Sequence, residues 1–149
     1  MKIETARLRP ILSLLERAVE ARSALPILRH IRIVPHGDNS VHMSATNLEV
    51  AVNCIVQGVT PTETGMTVHH GLLKALLPSG EVLHLTAFDA DDCVSEWSVG
   101  DSTARIPSYP AADFPKNPMA DVELSGFSVR GSDLLRMLGQ VEYAISREE

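Results

Sequence analysis

The sequence is short of several things, and each shortage removes a class of protein. Only two of its 149 residues are cysteines, Cys54 and Cys93. Two cannot build a disulfide framework, they are too far apart for a zinc-binding pair, and a reduced cytoplasmic setting suits them. Aromatic residues make up 4%, too few for a platform on which single-stranded bases stack. No run of about 18 apolar residues occurs, which excludes a membrane-spanning helix. The opening Met1-Lys2-Ile3-Glu4-Thr5 carries charge where the apolar core of a secretory signal would begin, so no export signal is expected. A Gly-rich phosphate loop, a nucleophile elbow and a Cys-His pair in a clear context are all missing, so neither a catalytic residue nor a cofactor is expected.

Positive charge is also scarce: 13 Lys and Arg against 19 Asp and Glu give a net charge of −6. Its distribution is uneven. Residues 1–36 carry seven basic side chains (Lys2, Arg7, Arg9, Arg17, Arg22, Arg29, Arg32) against three Glu, a balance of +4. Residues 37–126 carry three against twelve, or −9, and residues 127–149 three against four, or −1. A basic leading segment on an acidic body attracts phosphate on one face and repels it elsewhere; on charge alone a solvated helix face accounts for the segment equally well.

What is present is a repeat. Met1-Lys2-Ile3 leads into Leu8-Arg9-Pro10-Ile11-Leu12-Ser13-Leu14-Leu15, Met66-Thr67-Val68 into Gly71-Leu72-Leu73-Lys74-Ala75-Leu76-Leu77, and Phe127-Ser128-Val129 into Gly131-Ser132-Asp133-Leu134-Leu135-Arg136-Met137-Leu138. Each phrase reads as a short strand followed by a helix with apolar residues three and four apart. Pro10 is expected in the first turn of the first helix, because an interior proline costs about 3 kcal/mol. Leu72–Leu77 is expected as the second helix, and Ser132 as the N-cap of the third with Asp133 in its first turn.

Between the helices the period changes to two. Arg29–Val34 and Val41–Ala45 alternate around a Gly37-Asp38-Asn39-Ser40 hairpin, and Leu48 to Gln57 alternates after a turn at Thr46-Asn47. Strands are expected again over Val82–Ala87, Val94–Ser98 and Thr103–Ile106, with turns at Pro78-Ser79-Gly80 and at the acidic Asp89–Asp92. The unit is therefore β-α-β-β-β, used twice, with a third copy ending after its helix. Two such units predict an α+β domain with both helices on one face of antiparallel sheets. Residues 1–107 form the expected domain, the proline-rich 108–126 an extended connector, and 127–149 the incomplete first strand and helix of a second domain. Ending just after a helix whose supporting strands are absent suggests a truncated chain.

Metal chemistry has candidates. His69, His70 and His84 are one set, but neighbouring histidines on a strand point to opposite faces, and surface histidines explain them better. Asp89, Asp91 and Asp92 are another, without the glycine that anchors a calcium loop. No metal site is expected.

Arg22-Ser23-Ala24-Leu25-Pro26-Ile27-Leu28, Thr46-Asn47-Leu48-Glu49, Pro110-Ala111-Ala112-Asp113-Phe114-Pro115 and Tyr143-Ala144-Ile145-Ser146-Arg147-Glu148-Glu149, in this order and spacing, resemble the bacterial sliding clamp, the beta subunit of DNA polymerase III. The resemblance runs from Met1 to Glu149 and covers the first clamp domain and the start of the second. It implies a homodimeric ring that encircles double-stranded DNA without sequence preference, helices lining the hole and sheets outside. It also implies partners: a second clamp subunit, the replicative polymerase and the clamp loader, with no membrane and no phosphoryl transfer by the clamp itself. A sliding ring touches phosphates loosely and reads no base edges.

Residue by residue, the resemblance carries over Arg22 as a DNA-facing arginine and Arg147 as a polar position at the inner end of the second domain's first helix. Helix position adds Arg9, Arg17 and Arg136. For ring closure it implies the edge strand Ala104-Arg105-Ile106, with Lys74 beside it; a bulky aromatic is common in the family where Ala104 stands. Three functions follow: the N-terminal part of a DNA replication processivity factor, a stand-alone clamp domain acting as an interaction module on a clamp or clamp loader, or a metal-dependent enzyme built on the aspartate hairpin.

Overall fold

Among the described residues, eight strands take up most of the alternating segments: β1 (Lys2–Glu4), β2 (His30–Pro35), β3 (Ser40–Thr46), β4 (Ala51–Gln57), β5 (Met66–His69), β6 (Val82–Asp89), β7 (Val94–Val99) and β8 (Ser102–Pro110). The structure, a computed structural model, describes residues 1–61, 63–77, 81–116 and 128–145. Two units are distinguished, Met1–Asn117 and Pro118–Glu149. In the first, all eight strands form one sheet in the order β1-β6-β7-β8-β5-β2-β3-β4, and every pairing is antiparallel.

The repeat is physical. The chain runs β1-α1-β2-β3-β4 and then β5-α2-β6-β7-β8, with α1 over Thr5–Leu15 and α2 over His70–Ala75. Each leading strand pairs with the other half's meander: β1 with β6, and β5 with β2. β5 also pairs with β8, Met66–Val68 against Ser108–Pro110, and so joins the halves. At the corresponding joint of the other half, Lys2 bridges Thr60, with the Lys2 N–H donating to the Thr60 carbonyl at 3.3 Å. Gly37 (φ +72°) and Gly100 (φ +55°) supply the left-handed turns of two hairpins.

One core fills the unit. Leu8, Leu12 and Leu15 of α1 and Leu73 of α2 are fully buried with Ile31 and Ile33 of β2, Val41 and Met43 of β3, Leu83 of β6 and Trp97 of β7. The helices touch each other, and the buried His70 ring donates from Nε2 to the Leu12 carbonyl at 3.0 Å. This is the expected α+β arrangement of two helices against antiparallel strands. Trp97 donates from its indole to the Ser95 hydroxyl at 2.6 Å, which in turn meets the Ser108 hydroxyl at 2.6 Å, so the buried indole N–H is satisfied.

Several local expectations are corrected. Pro10 lies inside α1 rather than in its first turn, because α1 opens at Thr5, whose N–H donates to the Glu81 carbonyl. The proline is tolerated there since it and Ala6, the residue whose carbonyl loses its helical donor, are both exposed. α2 begins at His70 and ends at Ala75. His69 therefore ends β5 and caps the helix, its Nδ1 accepting from the Leu72 N–H at 3.3 Å, while His70 is buried rather than a surface residue.

Farther along the chain, β4 begins at Ala51, not Leu48. Leu48 has φ +78° in a turn held by the Thr46 and Asn47 side chains, and Leu48 and Val50 are exposed. β8 continues to Pro110, so residues 108–110, expected in the connector, belong to the sheet, and Tyr109 packs on the His30 ring at 5.1 Å. The turn at 78–80 and Phe127 lie outside the described residues. In the second unit, α3 spans Gly131–Val141 with Arg130 as its N-cap, so Ser132 is already helical; Asp133 is in the first turn as expected.

Candidate nucleic-acid and subunit interface

Basic residues of the first unit gather on α1, on the turn after it and on α2, and their partners separate them. Arg7 pairs with Glu4 at 3.2 Å and also reaches the Gln57 carbonyl at 3.4 Å. Arg9 donates to the Leu77 carbonyl at 2.5 Å, beyond the end of α2. Lys74 pairs with Glu16 at 2.6 Å, and its ammonium holds the Glu16 carboxyl below the usual carboxylate range. Arg17 and Arg22 are exposed and make no hydrogen bond or ion pair among the described residues.

The turn bearing Arg22 is firmly placed. Ser23 N–H donates to the Glu20 carbonyl, Glu20 N–H to the Leu28 carbonyl, and Leu25 N–H to the Ser23 hydroxyl at 3.0 Å. Arg29 closes it from below, its guanidinium donating to the Ser23 carbonyl at 2.9 Å. Pro26 opens a 3-10 turn, Pro26–Arg29, that buries Leu28. Within Arg22–Leu28 the loop is thus anchored by Leu28 and by hydrogen bonds, while Leu25 and the Arg22 guanidinium stay in solvent. Arg29 as a strut was not foreseen; a basic residue adjoining a strand start gives no sequence signal of its own.

Arg136 is exposed on α3 in the second unit, and Arg147 lies outside the described residues. Ala104, Arg105 and Ile106 lie in mid-β8, opposite Trp97, Glu96 and Ser95 of β7. β8 has β5 on its other side, but only from Ser108 onward. Since the Ser108 N–H bonds to the Cys93 carbonyl, alternation directs the backbone groups of Ile106 and Ala104 to β7 and those of Arg105 and Thr103 away from it. Among the described residues nothing pairs with that outer side. Beside it runs a groove of about 500 Å³ whose walls include Leu76, Trp97, Val99 and Ala104. Lys74 stays on the helix with Glu16.

No cluster of three or more metal-ligating side chains exists among the described residues. Asp89 instead accepts the Asp91 and Asp92 N–H groups at 3.0 Å, shaping its own turn. No helix among the described residues is long and apolar enough to cross a membrane.

No protein-family profile and no curated protein matches the chain. Solved structures do. A Caulobacter crescentus beta sliding clamp superposes with a TM-score of 0.88 at 29% identity, covering 99% of this chain and 39% of that one. The Bartonella birtlesii DnaN sliding clamp, DNA polymerase III subunit beta, gives 0.83 at 25% identity, over 100% and 40%. The Pseudomonas aeruginosa DNA polymerase III subunit beta gives 0.82 at 24% identity, again over 100% and 40%. The chain spans about 40% of the length of the clamps it matches. Along essentially its whole length, this chain has the fold of the bacterial DNA polymerase III beta sliding clamps and resembles them in sequence.

Proposed function

We propose that this chain is the N-terminal portion of a replication processivity factor, a non-enzymatic cytoplasmic clamp that holds duplex DNA by encirclement and tethers a polymerase. The observation that carries the reading is the contrast between Arg17 and Arg22, solvent-exposed and without a partner among the described residues, and an acidic remainder of the chain. Unengaged guanidiniums near a duplex neutralise phosphates without fixing a register, which is what sliding requires. Arg9, Arg136 and Arg147 extend the same basic set in this reading. The half-open β8 edge at Ala104–Ile106 supports ring closure by strand addition from a second subunit. The residues through the end of β8 at Pro110 act as the complete clamp domain, those that follow as its connector, and 127–149 as the opening of the next.

The test is retention on closed circular duplex DNA by a clamp that contains this chain, measured against salt. Arg22→Ala is expected to weaken retention equally on all sequences and to lower the slope of log retention against log salt by up to about one. An unchanged slope removes Arg22 from the phosphate contacts. The 149-residue chain alone is expected to bind linear DNA only weakly, and tight binding at physiological salt contradicts encirclement as the mode of hold.

A further inference from the structure

Arg22 stands on a loop that burial does not hold at its tip. Ala21, Arg22, Ala24, Leu25 and Pro26 are all exposed. The neck is closed where the Glu20 N–H meets the Leu28 carbonyl, with Leu28 itself buried. Above the neck the bonding is local: Ser23 N–H to the Glu20 carbonyl, Leu25 N–H to the Ser23 hydroxyl, and Leu28 N–H to the Leu25 carbonyl. A short exposed turn opens readily unless a group outside it holds the tip. Arg29 does so: from the position next to the start of β2 its guanidinium reaches back to the Ser23 carbonyl at 2.9 Å. Ser23, which adjoins Arg22, is thereby pinned through both of its backbone groups, the N–H by Glu20 and the C=O by Arg29.

The Arg29 side chain is half-buried, and its Nε–H is buried with no acceptor among the described residues. A buried donor without an acceptor is unfavourable, so the bond from the other end of the guanidinium to Ser23 is what favours this position. Burial first, and then the Arg29 charge, lower the pKa of His69. At neutral pH the guanidinium therefore neighbours an uncharged ring and is not pushed off the carbonyl. We propose that Arg29 is the positioning residue for Arg22: by holding the Ser23 carbonyl it keeps the Arg22 guanidinium presented to duplex phosphate, without touching the DNA itself. The inference rests on the reading of Arg22 as a phosphate contact and adds what that contact depends on. A guanidinium on an ordered loop loses little freedom on meeting a phosphate, whereas one on a loose loop must be ordered first, and its hold weakens.

The test is a double-mutant cycle on retention, by a clamp that contains this chain, on closed circular duplex DNA across a salt series. Arg29→Met keeps the half-buried stem and removes the donors; Arg29→Ala, with the same expectation, serves if the methionine variant is unfolded by circular dichroism. Arg29→Met is expected to weaken retention several-fold, up to the loss seen in Arg22→Ala, and to have no further effect in the Arg22→Ala background. Arg29→Lys, whose ammonium donates to the same carbonyl, is expected to recover most of the loss. An Arg29→Met variant that retains DNA normally while Arg22→Ala does not overturns the proposal. So does an equal loss in both backgrounds, accompanied by a fall of about one in the salt slope of each, which makes Arg29 a phosphate contact of its own. A lysine variant no better than the methionine one also overturns it. Amide exchange of the 149-residue chain separates this proposal from the reading beneath it. Arg29→Met is expected to speed exchange of the Ser23 and Leu25 N–H groups by about tenfold, with Ile31 and Val68 unchanged. Unaltered exchange at Ser23 and Leu25 sinks the positioning role alone; a loosened loop in a clamp whose retention ignores Arg22→Ala sinks the phosphate contact.

Discussion

The His70 ring on α2 and the Leu12 carbonyl on α1 meet at 3.0 Å, fully inside the core. The carbonyl also accepts the Glu16 N–H at the end of α1. The histidine therefore fastens the start of one helix to the middle of the other. His70→Ala removes the donor and opens a cavity between the helices, and is expected to lower stability by about 2–3 kcal/mol. Chemical denaturation measures it, and a loss within about 0.5 kcal/mol, the range of ordinary surface changes, rejects the fastening role.

Arg9 and Arg17 look alike in sequence and differ in the structure. Arg9 holds the Leu77 carbonyl after α2, where Leu77 itself is buried. Arg9→Ala is expected to destabilise by about 1 kcal/mol, and Arg17→Ala by less than about 0.5 kcal/mol. Melting curves of the two variants side by side check this; equal losses dismiss the distinction. A DNA effect from Arg17→Ala can then be read as a contact, whereas one from Arg9→Ala mixes contact with loosening.

Much of this architecture was legible because it rests on period. Alternation located every strand of the two meanders, and the repeated strand-helix phrase gave the duplication. What alternation cannot express is strand order: that β1 joins the other meander at β6, and that β5 sits between β2 of the other meander and β8 of its own, depends on contacts across the repeat. Leu48 and Val50 extended the alternation on paper, but the Asn47 carboxamide accepts the Glu49 and Val50 N–H groups and forces a turn there. His70 read as surface because a histidine beside a histidine shows no apolar pattern; its burial is set by a carbonyl 58 residues away. For the basic set, sequence supplied the candidates, but only geometry separates Arg17 and Arg22 from residues engaged with Glu4, Leu77 or Glu16.

Pro10 sits in the interior of α1 on its exposed side. Pro10→Ala restores a donor to the Ala6 carbonyl and removes the clash of the ring with the preceding turn, at the expense of a freer unfolded chain. The balance is expected to raise stability by about 1 kcal/mol or more, visible as a higher melting temperature. A lower melting temperature means that the bend set by the proline is needed for the packing of Leu8 and Leu12.

His30 lies on the seam where β2, β5 and β8 join. Its Nδ1 is 3.2 Å from the Thr67 hydroxyl, which also accepts the Tyr109 N–H at 3.2 Å. The hydroxyl still has its own proton to offer an unprotonated Nδ1, an arrangement compatible with a neutral ring. Burial, with a smaller contribution from the neighbouring His69, lowers its pKa to about 4, whereas an unfolded histidine titrates near about 6.5. Above the unfolded value both states are neutral, and His30 adds no pH dependence. As pH falls from about 6.5 toward 4 the unfolded chain takes a proton that the folded one refuses, so stability falls across that window and levels off below it. His30→Gln, whose carboxamide oxygen accepts the Thr67 proton without titrating, is expected to flatten the slope of stability against pH between 4 and 6.5. An unaltered slope in the variant, or a His30 ring resonance that titrates near 6.5 in the folded protein, contradicts the neutral pin at the seam.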